Sequence, residues 1–292
     1  MDDLQISEKQ IAVLITCFNR KEKTLRCLKS VFEQDVHLPL RLTVFLVDDG
    51  SSDGTSDAVK SLFPSVILLS GDGNLFWAGG MRKAWKEALK LAKFDFFWLV
   101  NDDTVLYPTA LKELLLADER ALNERGVSGL YSGSTVDPKS GKHSYGGEKL
   151  IKPTNYAATA AFPDGTYQTC EFMNANILLV PATVVDKIGI FSEVYIQSIA
   201  DYDYSMRAFR AGLPTWILPD YAGTCEYDHS KYEEGSIPPL KKRLKTLFGA
   251  KGYSYKEFLH FIRTYFPGKY TNTLITLWFR TLFPRIWRWY KR

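Results

Sequence analysis

The chain has 292 residues, 46% hydrophobic and 24% charged, which suits a soluble chain with a large buried core and excludes a fibrous or disordered one. Four scattered cysteines, Cys17, Cys27, Cys170 and Cys225, form no CxxC pair, so neither a zinc ribbon nor a disulfide framework is expected. The net charge of +4 hides an asymmetry: residues 1–237 hold 24 Lys+Arg against 32 Asp+Glu, and residues 238–292 hold 13 against the single acid Glu257.

The acidic start, Met1-Asp2-Asp3, lacks the apolar stretch of a signal peptide, and no run of eighteen apolar residues occurs, so a cytoplasmic protein is expected. Ile11–Ile15 reads as a buried strand ending in Thr16, followed by an amphipathic helix over residues 20–34 with Leu25, Leu28, Val31 and Phe32 on one face. Residues 42–47 form a second strand that runs into Asp48-Asp49-Gly50-Ser51, and a helix with Ala58, Val59 and Leu62 follows. Val66–Leu69 is a third strand closed by Gly71-Asp72-Gly73-Asn74, and Gly79-Gly80 precede a helix through Ala84, Trp85, Ala88 and Leu91. The fourth strand is the seven-residue, mostly apolar run from Phe94, whose polar end is Asn101-Asp102-Asp103. Four strand–helix alternations predict an α/β chain with a doubly wound, mostly parallel sheet flanked by helices.

Beyond Pro108 a helix runs to about Asn123, and residues 127–170 read as strands and loops of a second half. Cys170–Val180 is a further core strand, Pro181 starts a helix, and Asp201 opens another that Gly212 and Pro214 end. Trp216–Leu218 is a short strand near the end of a body assigned to residues 1–237. Residues 238–292 are a basic, aromatic helical appendage.

Three strand ends point at one edge: Thr16 with Asn19 and Arg20, Asp48 with Asp49, and Asn101 to Asp103. Open α/β sheets bind ligands at that carboxyl edge. Asp102 and Asp103 would seat a hard cation that holds phosphates. The plain alternative is a turn and a helix cap. Asp48 or Asp49 would accept hydrogen bonds from a base or ribose, and a helix N-cap again explains them otherwise. Gly79 and Gly80 would let backbone N–H groups approach phosphates while Trp77 borders a sugar. A helix-packing glycine pair beside a core tryptophan is their other reading. No Gly-x-Gly-x-x-Gly pattern occurs, which weighs against a dinucleotide cofactor. In the tail, Lys241-Lys242-Arg243 and the rings of Trp278, Phe279, Phe283, Trp287 and Trp289 suit an anionic membrane surface. Packing on the body or a homodimer interface would use the same residues, and no nucleic-acid-binding motif accompanies them.

Thr16-Cys17-Phe18-Asn19-Arg20, then Asp48-Asp49-Gly50-Ser51, then Asn101-Asp102-Asp103, then Ala200-Asp201-Tyr202-Asp203, in this order over roughly residues 10–230, resemble family 2 glycosyltransferases of the GT-A fold. The stretch from Gly73 to Gly80 is similar to a segment of rhamnosyltransferase-like members. The resemblance implies an inverting transferase that uses Mg2+ or Mn2+ and a dTDP- or UDP-linked sugar. Thr16, Phe18, Asn19, Arg20, Asp48, Asp49, Asn74, Trp77, Gly79, Gly80, Asn101 and Asp102 would hold the donor nucleotide. Asp103 and His229 would bind the metal, Asp201 would act as base with Asp203 as its substitute, and Asn174 and Asn176 would face the acceptor. That acceptor would be a glycan, lipid-linked for a cell-surface polysaccharide, met at the inner face of the membrane. Two departures stand out. Asn101 occupies a position usually acidic, and Ala200 replaces a glutamate. They keep open a nucleotide-sugar-binding protein without activity. A nucleotidyltransferase is the remaining alternative, though the basic glycine-rich phosphate loop it needs is absent.

Overall fold

A computed structural model describes residues 8–197, 199–227, 237–250, 252 and 254–290. Four strands, β1 (Lys9–Cys17), β2 (Leu40–Asp48), β3 (Ile67–Ser70) and β4 (Phe96–Val100), lie parallel in the order β3-β2-β1-β4. Their crossovers carry α1 (Lys21–Phe32), α2 (Thr55–Leu62) and α3 (Phe76–Leu91). β1 and β4 are buried on both faces, as a central parallel strand must be. Ala12, Leu14, Phe97 and Leu99 enter one core layer, and Ile11, Val13, Trp98 and Val100 enter the other.

Past β4 the sheet turns mixed. β12 (Ile177–Pro181) runs antiparallel to β4, β6 (Leu130–Val136) antiparallel to β12, and β13 (Thr215–Cys225) parallel to β6. Short strands β5 (Thr104–Leu106), β7 (His143–Tyr145) and β10 (Gln168–Thr169) join its borders. A second sheet holds β8 (Gly147–Lys152), β9 (Asn155–Ala161) and β11 (Phe172–Met173). α4 (Ala110–Arg125), α5 (Ala182–Ile188) and α6 (Ala200–Arg210) complete the body.

The strand expected to run from Phe94 into Asn101-Asp102-Asp103 forms as β4, which stops at Val100; the chain turns at Asn101–Asp103, and β5 starts at Thr104 to pair with β13 at Cys225. One local expectation is corrected: a helix preceded by Gly79-Gly80 is not what forms. α3 begins at Phe76, so both glycines lie inside it. A Cβ on Gly80 would meet Thr16 Oγ1 at 2.1 Å, so this glycine lets α3 settle directly onto β1.

The tail holds α7 (Leu240–Phe248), α8 (Tyr255–Tyr265), α9 (Tyr270–Leu282) and α10 (Pro284–Tyr290). α8 packs on the body: Phe261, Ile262, Tyr265 and the adjoining Phe266 enter the core layer that holds Phe172 and Tyr204. Polar ties reinforce it. Arg210 donates to the Tyr265 carbonyl at 2.9 Å, and Glu257 accepts the Ile196 N–H at 3.1 Å. Further out, Leu247, Leu259 and Leu277 form a small core of their own, while Ile275, Phe283, Ile286 and Trp289 stay exposed. No helix among the described residues is long and apolar enough to cross a membrane.

Candidate active site

The carboxyl ends of β1 and β4 open into a cavity of 510 Å³, closed on its far side by the approach to β12 and the start of α6. Its floor is the turn after β4. Asp102 is 6% exposed. Arg20 Nη1 donates to Asp103 Oδ2 at 2.7 Å and to Asp102 Oδ1 at 3.3 Å, so one guanidinium from the end of β1 spans both acids. Burial pushes the Asp102 carboxyl up to about 7; Arg20 opposes that rise and the neighbouring Asp103 charge adds to it. The Cys225 thiol reaches Asp103 Oδ1 at 3.5 Å.

Asp102 Oδ2 is buried with no hydrogen-bond partner among the described residues. An orphaned carboxylate oxygen beside a second carboxylate, in a polar cavity, fits a hard divalent cation that draws its other ligands from phosphate oxygens. Among the described residues no group of three His, Cys, Asp or Glu side chains gathers for a metal. His229 lies outside the described residues.

Above the floor stands Trp77. Its indole N–H donates to Asn101 Oδ1 at 2.8 Å, and its backbone N–H donates to Gln197 Oε1 at 2.9 Å. The preceding turn is held by Asp49, whose carboxylate accepts the N–H groups of Gly73 at 2.9 Å, Phe76 at 3.0 Å and Leu75 at 3.3 Å. Asp49 thus caps α3 from the end of β2 while lining the cavity. Three of the four described non-glycine residues with positive φ, Asn19, Phe76 and Ile199, lie at this rim. For Ile199 at φ 70° the left-handed conformation is costly, because its branched Cβ crowds the backbone.

Opposite Trp77, α6 presents Asp201. Its Oδ1 accepts the Tyr202 N–H at 2.9 Å and its Oδ2 the Ala175 N–H at 3.3 Å. Burial pushes this carboxyl up to about 6; the two N–H donors resist, and the charge of Glu148 adds to the rise. Tyr202 lines the cavity and donates its hydroxyl to Glu148 at 2.6 Å. Asn174 and Asn176 line the same side.

The cavity brings together Thr16, Phe18, Arg20, Asp49, Trp77, Asn101, Asp102, Asp103, Asn174, Asn176 and Asp201. Six others have different employment. Asn19 ties two loops, donating from its backbone to Ser51 Oγ at 2.8 Å and accepting the Ser52 N–H at 2.7 Å. Asp48 accepts the Ser51 N–H at 2.8 Å and the Ser56 hydroxyl, which is the turn-and-cap alternative. Asn74 bonds within its own exposed turn. Gly80 lets α3 pack on Thr16, and Gly79 lies within α3 beside Leu75 and Arg82, outside the cavity lining. Asp203 faces the core, where Arg207 Nε donates to it at 2.9 Å and the Tyr265 hydroxyl at 2.8 Å. Phe76, Tyr145, Gln197, Ile199 and Tyr202 also line the cavity and were not expected. Only Tyr202 carried a signal, lying between two acids already singled out.

The sequence profile described as "Glycosyl transferase family 2" matches residues 12–157, half of the chain. No curated protein sequence matches it. Among solved structures, the chain resembles the mannosyltransferase PcManGT from Pyrobaculum calidifontis, determined in complex with GDP-Man and Mn2+, at 16% identity and a TM-score of 0.56, covering 88% of this chain and 65% of that one. It also resembles residues 1–349 of TarS from S. aureus, determined with UDP-GlcNAc, at 14% identity and a TM-score of 0.50, covering 82% of this chain and 66% of that one. The chain therefore spans just under two thirds of each of these structures, and the likeness is one of fold.

Proposed function

The chain belongs to glycosyl transferase family 2, and on that premise we propose that it moves a sugar from a nucleoside diphosphate to an acceptor hydroxyl, with inversion at the anomeric carbon. One observation carries the reading: Asp201 and the Asp102–Asp103 pair line a single cavity from separate elements, α6 and the turn after β4. The donor is a dTDP- or UDP-linked sugar, with its nucleotide toward Thr16, Phe18 and Asp49. Asp102 and Asp103 hold Mg2+ or Mn2+, which when bound neutralises charge on the departing diphosphate. Arg20 supports the same acids from beneath. Asn101 and Trp77 border the sugar, and Asn174 and Asn176 border the acceptor.

Asp201 takes the proton of the attacking hydroxyl. A carboxyl raised to about 6 is still ionised at neutral pH and is a stronger base than an ordinary aspartate. Asp203 is spent on Arg207 and Tyr265, which favours Asp201 for this task. One base and one displacement suffice for inversion, with no covalent intermediate.

In this reading residues 1–237 form the transferase body and residues 238–292 a tail that meets an anionic membrane surface. Exposed Ile275, Phe283, Ile286 and Trp289 beside a strongly basic composition support that contact. A lipid-linked glycan would then be within reach as acceptor, on the cytoplasmic side. The test is a screen of UDP-, dTDP- and GDP-sugars for release of nucleoside diphosphate with and without Mn2+. Metal-dependent release with one donor is expected. Nucleotide binding without release from any donor would favour the inactive binder, with Asn101 and Ala200 as its marks.

A further inference from the structure

A second cavity, of 330 Å³, lies where the tail meets the body. Its walls are Tyr156 of β9, Ile199, Phe258 of α8, and Thr273, Thr276 and Arg280 of α9. Ile199 also lines the first cavity, so one residue, two positions before Asp201, is shared by both. A run of rings joins the two sites. Tyr202 stacks on Phe172 at 4.8 Å, Phe172 meets Phe266 at 6.4 Å, and Phe266 meets Tyr156 at 6.4 Å.

The two cavities differ in chemistry. The first is lined by Asp49, Asp102, Asp103 and Asp201, so phosphates there need a cation. Among the described residues, the lining of the second holds one guanidinium, Arg280, and no acid. A planar guanidinium pairs with phosphate through two parallel hydrogen bonds. Two threonine hydroxyls and the ring of Tyr156, braced edge-on by Phe258 at 5.5 Å, offer hydrogen bonds and a flat apolar face, the combination a pyranose ring requires. The basic tail that supplies α9 adds a field attractive to anions.

We propose that this second cavity is the acceptor subsite and takes a phosphorylated saccharide, its phosphate on Arg280 and its sugar extending past Ile199 toward Asp201. This rests on the transferase reading above. It also gives the tail a place in substrate selection, because Phe258, Thr273, Thr276 and Arg280 all come from it.

The test is a titration of the full chain, saturated with whichever of UDP, dTDP or GDP it binds most tightly, using glucose 1-phosphate, methyl glucoside and dodecyl phosphate below its micelle concentration. Glucose 1-phosphate should bind about 10-fold or more tightly than methyl glucoside, the ratio one charge-assisted contact supplies. Arg280→Ala should remove that preference. Thr276→Trp, which fills the cavity, should abolish binding of both sugars and leave nucleotide affinity unchanged, which also certifies the fold of each variant. Arg280-dependent binding of dodecyl phosphate alone supports the subsite and assigns the phosphate to a lipid headgroup; binding of glucose 1-phosphate alone supports it with a soluble phosphoglycan. No Arg280-dependent binding of either anion, or a phosphate preference that survives Arg280→Ala, overturns the proposal. If no nucleotide binds the wild-type chain, the transferase reading fails by itself, and the same titration without nucleotide still decides whether the cavity holds a phosphate.

Discussion

The Trp77 indole donates to Asn101 Oδ1 at 2.8 Å, and this bond decides what Asn101 can offer the cavity. An indole N–H can only donate, so it must meet the amide oxygen, which leaves the amide NH2 as the group available to a ligand. An aspartate at this position would bring a third carboxylate to a floor that already holds Asp102 and Asp103. In the proposed transferase, Asn101 would serve as a hydrogen-bond donor toward the sugar or diphosphate, with Trp77 as its positioning residue.

Trp77→Phe keeps a ring against Phe191, now 5.5 Å away, and deletes only the donor. Loss of one hydrogen bond to a partly buried acceptor costs about 1–3 kcal/mol. The donor KM should rise roughly 5- to 150-fold by the same free energy, with a smaller change in kcat. Steady-state kinetics with varied nucleotide sugar checks this; an unchanged KM would show that Asn101 holds its orientation without Trp77.

As the proposed base, Asp201 should set the acid limb of the rate profile. Its carboxyl, pushed up to about 6 by burial, protonates at higher pH than an ordinary aspartate, and only the ionised form can accept a proton. Turnover should therefore be full above pH 7 and fall as pH drops through about 6. Glu148 is the facing acid whose charge raises this value, and Tyr202 is the ring between them. Glu148→Gln removes that charge and should move the limb to lower pH. Asp201→Asn should reduce kcat on the order of 10²- to 10⁴-fold while nucleotide affinity stays level. Wild-type turnover in Asp201→Asn, or a rate independent of pH from 5 to 8, would remove Asp201 from its role.

Asp203 should behave in the opposite way. It is 5% exposed and bound by Arg207 and by Tyr265 of α8, so it ties the tail to the body. Asp203→Ala leaves Arg207 partly buried without its carboxylate, still donating to the Ile188 and Ile190 carbonyls. The expected loss is about 2–4 kcal/mol, somewhat below the fully buried range because Arg207 keeps some solvent contact. Urea unfolding measures it. Turnover per folded molecule should be retained, and that contrast with Asp201 separates the two acids of the Asp201-Tyr202-Asp203 stretch.

Much of this site was legible because strand ends are marked twice in a chain, by the end of an apolar run and by the polar residues that follow. Thr16, Asp49 and Asn101–Asp103 all meet that description, and the cavity gathers them. Asp48 meets it too and is consumed by its own turn, since a carboxylate after a strand serves a cap and a ligand equally well until its partners are known. Gln197 and Ile199 carried no mark. They reach the cavity from the irregular stretch before α6, where no periodicity constrains the chain. Gly80 shows the same ambiguity: a glycine near a helix start suits either phosphate approach or close packing, and a Cβ on Gly80 would clash with Thr16, which is the mark of close packing. The antiparallel entry of β12 beside β4 was likewise unmarked, because a strand buried on both faces reads the same in either direction.

Metal binding has a direct test in the same acids. Asp102 Oδ2 is an orphaned oxygen, and Asp103 is held beside it by Arg20. Nucleoside diphosphate should bind the wild-type chain about 10-fold or more tightly with Mn2+ than after chelation, since two carboxylates and the phosphates share the ion. Asp103→Ala should bind nucleotide with little response to Mn2+. Calorimetry with and without chelator reads both. An Asp103→Ala chain with wild-type metal response would take Asp103 out of the ligand set.

The tail calls for substitutions rather than truncation. Removing residues 238–292 would strip α8, with Phe261, Ile262 and Tyr265, from the main core and unpair Asp203 from Tyr265, so loss of membrane binding would be confounded with unfolding. α10 carries exposed Ile286 and Trp289, the latter 78% accessible, and neither belongs to a buried cluster. Ile286→Ser with Trp289→Ser should therefore leave stability within about 0.5 kcal/mol, as for other surface changes. It should lower co-sedimentation with vesicles containing anionic phospholipid, because an interfacial helix binds through its apolar side chains as well as its charge. Wild-type binding should weaken with added salt and be faint on zwitterionic vesicles, the signature of a basic surface meeting an anionic one. Equal co-sedimentation of wild type and the double variant would place the membrane contact off α10, and absence of wild-type binding to anionic vesicles would remove the membrane from this protein's partners.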